Sequence, residues 1–380
     1  MANSEVNLEE LLMSILVAPA AAAVGITQAL LRPAFQNGLK KQRKRDWAGA
    51  ARDYTDMLRK DPNFWPAHYN RVMVLTEQFK FDEALVDVNL LLSRKPSYAN
   101  AYVLRGNLHF ALRDWKQAGV DFQRALALGV NPPLAAFIHT RLASLKLVAY
   151  DQHKPVNDPT RATWLDQAQA EVDIAFLIQA ANVIALSSKA QIMKRRGDLS
   201  GALAVYQEAF RIAPYSVMLL TDRSTIYIEQ ENWAAALTDL DKAIYLSGGN
   251  GVAYNNRGFV YALQNELDKA LADCNQAITL TPRLVNAYIS RGLTYFLMDR
   301  LDAALADFQH SLALEPMNEC AMAGTAITLH RLGRIDEARA QWQALVDFDA
   351  EYRDADTLKR VYHTADAFIE EARKVAALLQ

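Results

Sequence analysis

Proline recurs at a fixed interval in this 380-residue chain, at Pro62 and Pro96 and again at Pro282 and Pro316, each pair 34 residues apart, with Pro214 two periods before Pro282. Each closes an apolar helical run, as in Leu58-Arg-Lys-Asp-Pro62 and Leu280-Thr-Pro282. Proline cannot continue a helix, so a proline at constant period marks turns between repeated helical units. Scarce glycine (15) and proline (12) leave room for long helices and little for sheet.

Windows ending two residues after these prolines give units 31–64, 65–98, 99–132, 183–216, 217–250, 251–284, 285–318 and 319–352, with an expanded unit at 133–182. On this ruler glycine stands at position eight (Gly38, Gly106, Gly258, Gly292), where two helices cross closely. Alanine stands at position twenty (Ala50, Ala84, Ala118, Ala202, Ala236, Ala270, Ala304, Ala338). An aromatic or apolar residue stands at twenty-four (Tyr54, Val88, Phe122, Tyr206, Leu240, Cys274, Phe308, Trp342), and alanine again at twenty-seven in Ala125, Ala209, Ala243 and Ala277. Spacings of four and three place these on one helical face. Tyrosines at positions four and eleven, such as Tyr254, Tyr288, Tyr261 and Tyr295, repeat the logic in the first half. Each unit therefore predicts two antiparallel helices.

The pattern resembles the tetratricopeptide repeat, with its aromatic at four, glycine at eight, alanine at twenty and proline at thirty-two. The resemblance covers about residues 31–352 and implies an all-α superhelical solenoid that holds protein or peptide partners. In that family, positions two, five, nine and twelve of the first helices line a concave groove. Carried over, they give Tyr69, Asn100, Val103, Asn107, Phe110, Asn255, Phe259, Asn286, Ile289, Leu293 and Phe296. Aromatic and aliphatic members can anchor a partner, and the asparagines can bond an extended backbone; several can equally serve only to pack helices. The lysine–asparagine set of the family's chaperone-tail clamp does not occur in any three consecutive repeats.

A charged ladder shares the ruler: arginine at position seven (Arg71, Arg105, Arg223, Arg257, Arg291) and aspartate at twenty-three (Asp53, Asp87, Asp121, Asp239, Asp273, Asp307). Their joint recurrence predicts bridges between the two helices of a unit, with a charged binding strip as the other reading. Units 183–216 and 319–352 lack the pair. In the expanded unit, Ala168, Val172 and Ala175 regain the register only with 16 residues inserted before them, around Tyr150–Ala162. The polar, proline-bearing Asp-Gln-His-Lys-Pro-Val-Asn-Asp-Pro-Thr predicts a loop there, a tolerated insertion or a partner contact.

The two ends differ from the repeats. Residues 353–380 predict a C-terminal capping helix, read as one amphipathic run from about Asp354 to Leu379, with dimerisation as the alternative. Residues 11–31 are uncharged over 21 residues, near the ~20 needed to cross a bilayer as helix. Glu5, Glu9 and Glu10 precede them, and Arg32, Lys40, Lys41, Arg43, Lys44 and Arg45 follow, so positive residues would lie inside with the repeats in the cytoplasm. This predicts a membrane anchor within the N-terminal segment 1–31; the other reading is a soluble chain whose apolar segment packs on the first repeat or against a partner. The small residues Pro19 and Gly25 and the alanine run suit either.

Catalytic arrangements are not found. The seven histidines are scattered, without metal-site spacing, and there is no phosphate loop, dinucleotide fingerprint or nucleophile elbow. Cys274 and Cys320, in different repeats, read as buried free thiols. A net charge of −2 gives no sign of nucleic acid as partner. The expectation is a non-enzymatic scaffold without cofactor, metal or small-molecule substrate.

Overall fold

The computed structural model describes residues 33–152, 159–362 and 365–379, and among them the fold is entirely helical. The elements are α1 (Pro33–Arg43), α2 (Trp47–Lys60), α3 (Trp65–Glu77), α4 (Phe81–Arg94), α5 (Ala99–Ala111), α6 (Trp115–Leu128), α7 (Pro132–Gln152) and α8 (Ala162–Ile178). They continue as α9 (Val183–Arg195), α10 (Leu199–Ile212), α11 (Val217–Glu229), α12 (Trp233–Ser247), α13 (Gly251–Leu263) and α14 (Leu267–Leu280). The last are α15 (Val285–Leu297), α16 (Leu301–Leu314), α17 (Glu319–Arg331), α18 (Ile335–Phe348), α19 (Thr357–Tyr362) and α20 (Asp366–Ala377). Short 3-10 turns occupy Pro159–Arg161 and Ala350–Arg353. The described residues divide into two compact units, 33–152 with 162–192, and 193–379 with 159–161.

Within each unit the helices pack in consecutive pairs, α1 on α2 through α7 on α8 in the first and α11 on α12 through α17 on α18 in the second. The ruler explains the pairing. Every alanine at position twenty and every side chain at position twenty-four named above is fully buried. Gly106 shows why a small residue meets the large one: a Cβ there would fall 2.8 Å from Cε1 of Phe122. The helices can therefore approach until the ring lies on the glycine backbone.

The turn between paired helices is equally regular. Position fifteen adopts the left-handed conformation in eight repeats, at Arg45, Phe79, Arg113, Gly197, Glu231, Asn265, Asp299 and Gly333. The next residue's N–H then bonds the carbonyl five residues back, as Asp114 to His109 and Asn232 to Tyr227. This closes the carbonyls at the end of the first helix. Position sixteen starts the second helix, and Asp46, Asp114, Asp198 and Asn232 cap it by accepting from the N–H three residues on.

Two expectations about the ends change. The C-terminal helix is not one run: α19 ends at Tyr362, Ala365 is extended at φ −63° and ψ 142°, and α20 begins at Asp366. The break lets α20 turn onto the last repeats, where Phe368 packs on Phe296 with ring centroids 5.1 Å apart and joins the core of Phe308, Trp342 and Tyr352. The membrane anchor expected at 11–31 falls outside the described residues. No helix among the described residues is long and apolar enough to cross a membrane, and the longest, α7, carries Arg141, Lys146 and Asp151 along its length. The expectation of a membrane-anchored chain is corrected accordingly. Of the insertion near 150–162, α7 takes residues up to Gln152 and the 3-10 turn takes Pro159–Arg161.

Candidate protein-interaction face

The charged ladder is part of the frame. Arg71, Arg105, Arg223, Arg257 and Arg291 each donate from Nε and Nη2 to both carboxylate oxygens of Asp87, Asp121, Asp239, Asp273 and Asp307, at 2.6–2.8 Å. Each of these aspartates is buried. Four of the arginines reach further: Nη1 donates to a side chain on the second helix of the preceding repeat, Thr55 from Arg71, Asn89 from Arg105, Asp241 from Arg257 and Asn275 from Arg291. One guanidinium thus ties three helices. His68 Nδ1 joins Asp87 at 3.0 Å. Burial works to raise the Asp87 pKa, but the hydrogen bonds from Arg71 and His68 outweigh it and hold the carboxyl below its ordinary value. Asp53 pairs instead with Lys41 at 2.8 Å.

The expanded unit keeps this bridge in altered form. With the 16-residue insertion counted, its positions seven and twenty-three are His139 and Glu171, and His139 Nδ1 lies 2.7 Å from Glu171 Oε2. The sequence ruler missed it because the residue types change and the offset doubles to 32.

Alternate helices, the first of each repeat, also touch directly within a unit: α3 with α5 in one, α11 with α13, α13 with α15 and α15 with α17 in the other. Five residues expected at the groove fall in the first unit and six in the second. In the first, Val103 is fully buried among Phe122, Leu134 and Phe137 and offers no surface. Tyr69 is buried too, and burial raises its pKa well above the ordinary value. Asn107 and Phe110 remain partly accessible on the same stripe of α5.

This stripe carries polar atoms that the frame does not satisfy. Asn100 Nδ2, Asn107 Oδ1 and the Tyr98 hydroxyl are buried and bond to nothing among the described residues. Tyr98 sits in an aromatic group, its ring 5.3 Å from Trp65 and 5.8 Å from Tyr69. Arg141 Nε, on α7, is likewise buried and unbonded. Tyr98 and Arg141 were not among the expected residues; Arg141 stands at position nine of the expanded unit, so the same positional rule reaches it.

In the second unit, Asn255 donates to Asn256 and leaves its own buried Oδ1 unbonded, while Asn286 is exposed and Phe259 and Ile289 are half-buried. Leu293 and Phe296 lie in the core, with Phe296 under Phe368 of α20. That end of the face is occupied by the chain's own C-terminal helix, pinned by His330 Nδ1 to Glu371 Oε1 at 2.5 Å. No cluster of histidine, cysteine, aspartate and glutamate among the described residues could hold a metal ion.

Comparison with known proteins agrees with this architecture. Tetratricopeptide repeat models match residues 251–284, 285–318 and 321–344. No curated protein matches the sequence. Among solved structures, a chain of the crystallised APC/C hetero-tetramer Cut9–Hcn1 is 16% identical over 74% of this chain, with a TM-score of 0.50. The match covers 52% of that chain, so this protein spans about half its length. A tetratricopeptide repeat protein from Parabacteroides merdae is 17% identical, with 73% of this chain and 98% of that one covered and a TM-score of 0.46. Repeats of this kind support a protein-interaction scaffold. From its repeat register, its helix-pair fold and the three matching repeats, the chain is a tetratricopeptide repeat protein.

Proposed function

We propose that this scaffold binds an extended peptide or protein segment along the first-helix face of its first unit, as a non-enzymatic subunit of a larger assembly. The observation that supports it most is the pair Asn100 and Asn107. They stand seven residues apart on one stripe of α5, each with a buried amide atom that bonds to nothing among the described residues. An unsatisfied buried polar group costs roughly 1–3 kcal/mol, so a frame this regular would be expected to satisfy or replace it unless a partner does so. Seven residues of helix rise about 10 Å, the reach of three residues of extended chain. Asparagine amides can both donate to and accept from a peptide backbone, and turning either amide presents its other end. The partly accessible Phe110 beside them offers an apolar contact. The like-folded APC/C chain belongs to a hetero-tetramer, the kind of use proposed here.

The test is capture from a cell extract by the full chain, compared with Asn100→Ala/Asn107→Ala. The proposal expects one or more proteins retained by the unaltered chain and lost from the double variant, with both proteins melting alike. Identical retention by the two would refute the face.

A further inference from the structure

The ladder arginines set a standard against which Arg141 stands apart. Arg71, Arg105, Arg223, Arg257 and Arg291 each hold a buried aspartate through two hydrogen bonds. Arg141 has no carboxylate partner and no hydrogen bond among the described residues; its Nε is sealed from solvent, while the residue as a whole is half-buried. Its company is aromatic: Cζ lies 5.4 Å from the centroid of Phe110 and 5.0 Å from that of Phe137. Ring faces attract a guanidinium, but they leave its in-plane N–H donors unmet. Burial draws its pKa below the ordinary arginine value. A partly desolvated cation without a counter-charge is costly, and its half-buried position leaves it open to a charge brought by a partner.

We infer that Arg141 receives the carboxylate of an aspartate or glutamate side chain within the segment bound on this face. The inference rests on the peptide-binding reading above and adds the chemistry of the partner. Arg141 and Phe110 join α7 to the α5 stripe that carries Asn107, so the acid would lie beside the backbone contacts. A planar carboxylate matches the fork of a guanidinium in two parallel hydrogen bonds. A single positive charge between phenyl rings suits a monoanion, whereas a phosphate brings nearly two charges and would call for a second cation; the next basic residue of α7, Lys146, is engaged over the Trp164 ring.

The experiment selects peptides from a displayed random library, fused at the C-terminus so that no free α-carboxylate is present, on the full chain and on Arg141→Gln. The unaltered chain should enrich peptides with Asp or Glu at one fixed position, and Arg141→Gln should lose that preference. A synthetic peptide from the selection should bind Arg141→Gln about tenfold or more weakly. Its Glu→Gln form should bind the unaltered chain just as weakly, and the two changes together should cost no more than either alone. Selected peptides with no fixed acid, or equal binding of the acidic peptide by Arg141→Gln, overturn the inference while the peptide-binding reading stands. Enrichment of no peptide by the unaltered chain overturns both. Equal melting of the two chains establishes that any loss is local.

Discussion

Arg105 grips Asp121 through two hydrogen bonds, 2.8 Å from Nε and 2.7 Å from Nη2, while its third nitrogen crosses to Asn89 of the preceding repeat at 2.9 Å. The aspartate is buried and the arginine only partly so, which makes removal of either partner unequal. Asp121→Ala removes two charge-assisted hydrogen bonds and leaves the half-buried guanidinium without its anion, and is expected to cost about 2–3 kcal/mol. Asn89→Ala, on the exposed bond, should cost under about 1 kcal/mol. Urea unfolding of the two variants checks the ranking.

Asp87 makes the first unit acid-sensitive. Its folded pKa lies below 3.8, so ionised Asp87 stabilises the fold. That contribution is complete above the unfolded value near ~4 and is lost as pH falls through the folded one. The stability gap between the unaltered chain and Asp87→Asn should therefore be constant from about pH 7 to 5 and shrink below about pH 4. Urea melts at a series of pH values measure it.

Gly106→Ala tests the close approach of paired helices. The added methyl would fall 2.8 Å from Phe122 Cε1 and 2.9 Å from Cδ1 of a ring that is itself fully buried. Overpacking of this kind costs about 1–3 kcal/mol. Gly119→Ala, whose nearest neighbour would be Leu145 Cδ1 at 3.5 Å, should be neutral or stabilising by the usual helix preference for alanine. Thermal melts of the pair separate crowding from propensity.

Glu231→Gly is expected to stabilise. Glu231 is an exposed side chain held at φ 55°, where residues other than glycine are strained. Relief of about 1–2 kcal/mol is partly offset by the greater freedom of glycine in the unfolded chain, leaving a gain of about 0.5–1 kcal/mol. A raised melting temperature is the readout.

Glu371→Gln should loosen α20. The carboxylate accepts from His330 and from Lys374 Nζ at 2.8 Å, and although burial opposes it, these partners hold its pKa below the ordinary carboxylate value. Loss of the charge is expected to cost about 1–3 kcal/mol locally, seen as faster amide exchange over 366–377 with α13 and α14 unchanged.

Much of this was legible in the sequence, and the reason is periodicity. A 34-residue ruler fixes which residues share a face, so Ala118 beside Phe122 on one buried face and Arg105 paired with Asp121 could be read from the letters alone. What escaped the ruler is what breaks it. His139 and Glu171 carry other residue types at a doubled offset. The break at Ala365 has no proline or glycine to announce it, and it decides that Phe368 comes to lie on Phe296. The candidate face was half legible: positional analogy supplied Asn100 and Asn107, but nothing in the letters distinguishes an amide that is bonded from one that is not. Arg141 lay in register, yet the absence of a carboxylate beside it among the described residues is a fact of three dimensions.

The bridge between His139 and Glu171 closes over the inserted residues rather than being severed by them. Growth at the facing ends of two paired helices therefore leaves their cross-bridge in place, whereas one residue gained in the middle of a helix would put every later position out of phase. For the same reason a whole repeat, copied in place, would arrive with an arginine ready for the repeat before it and a second helix ready for the arginine after it. A chain built this way can lengthen by duplication and diversify at its bends, and the frame carries that history without being redesigned.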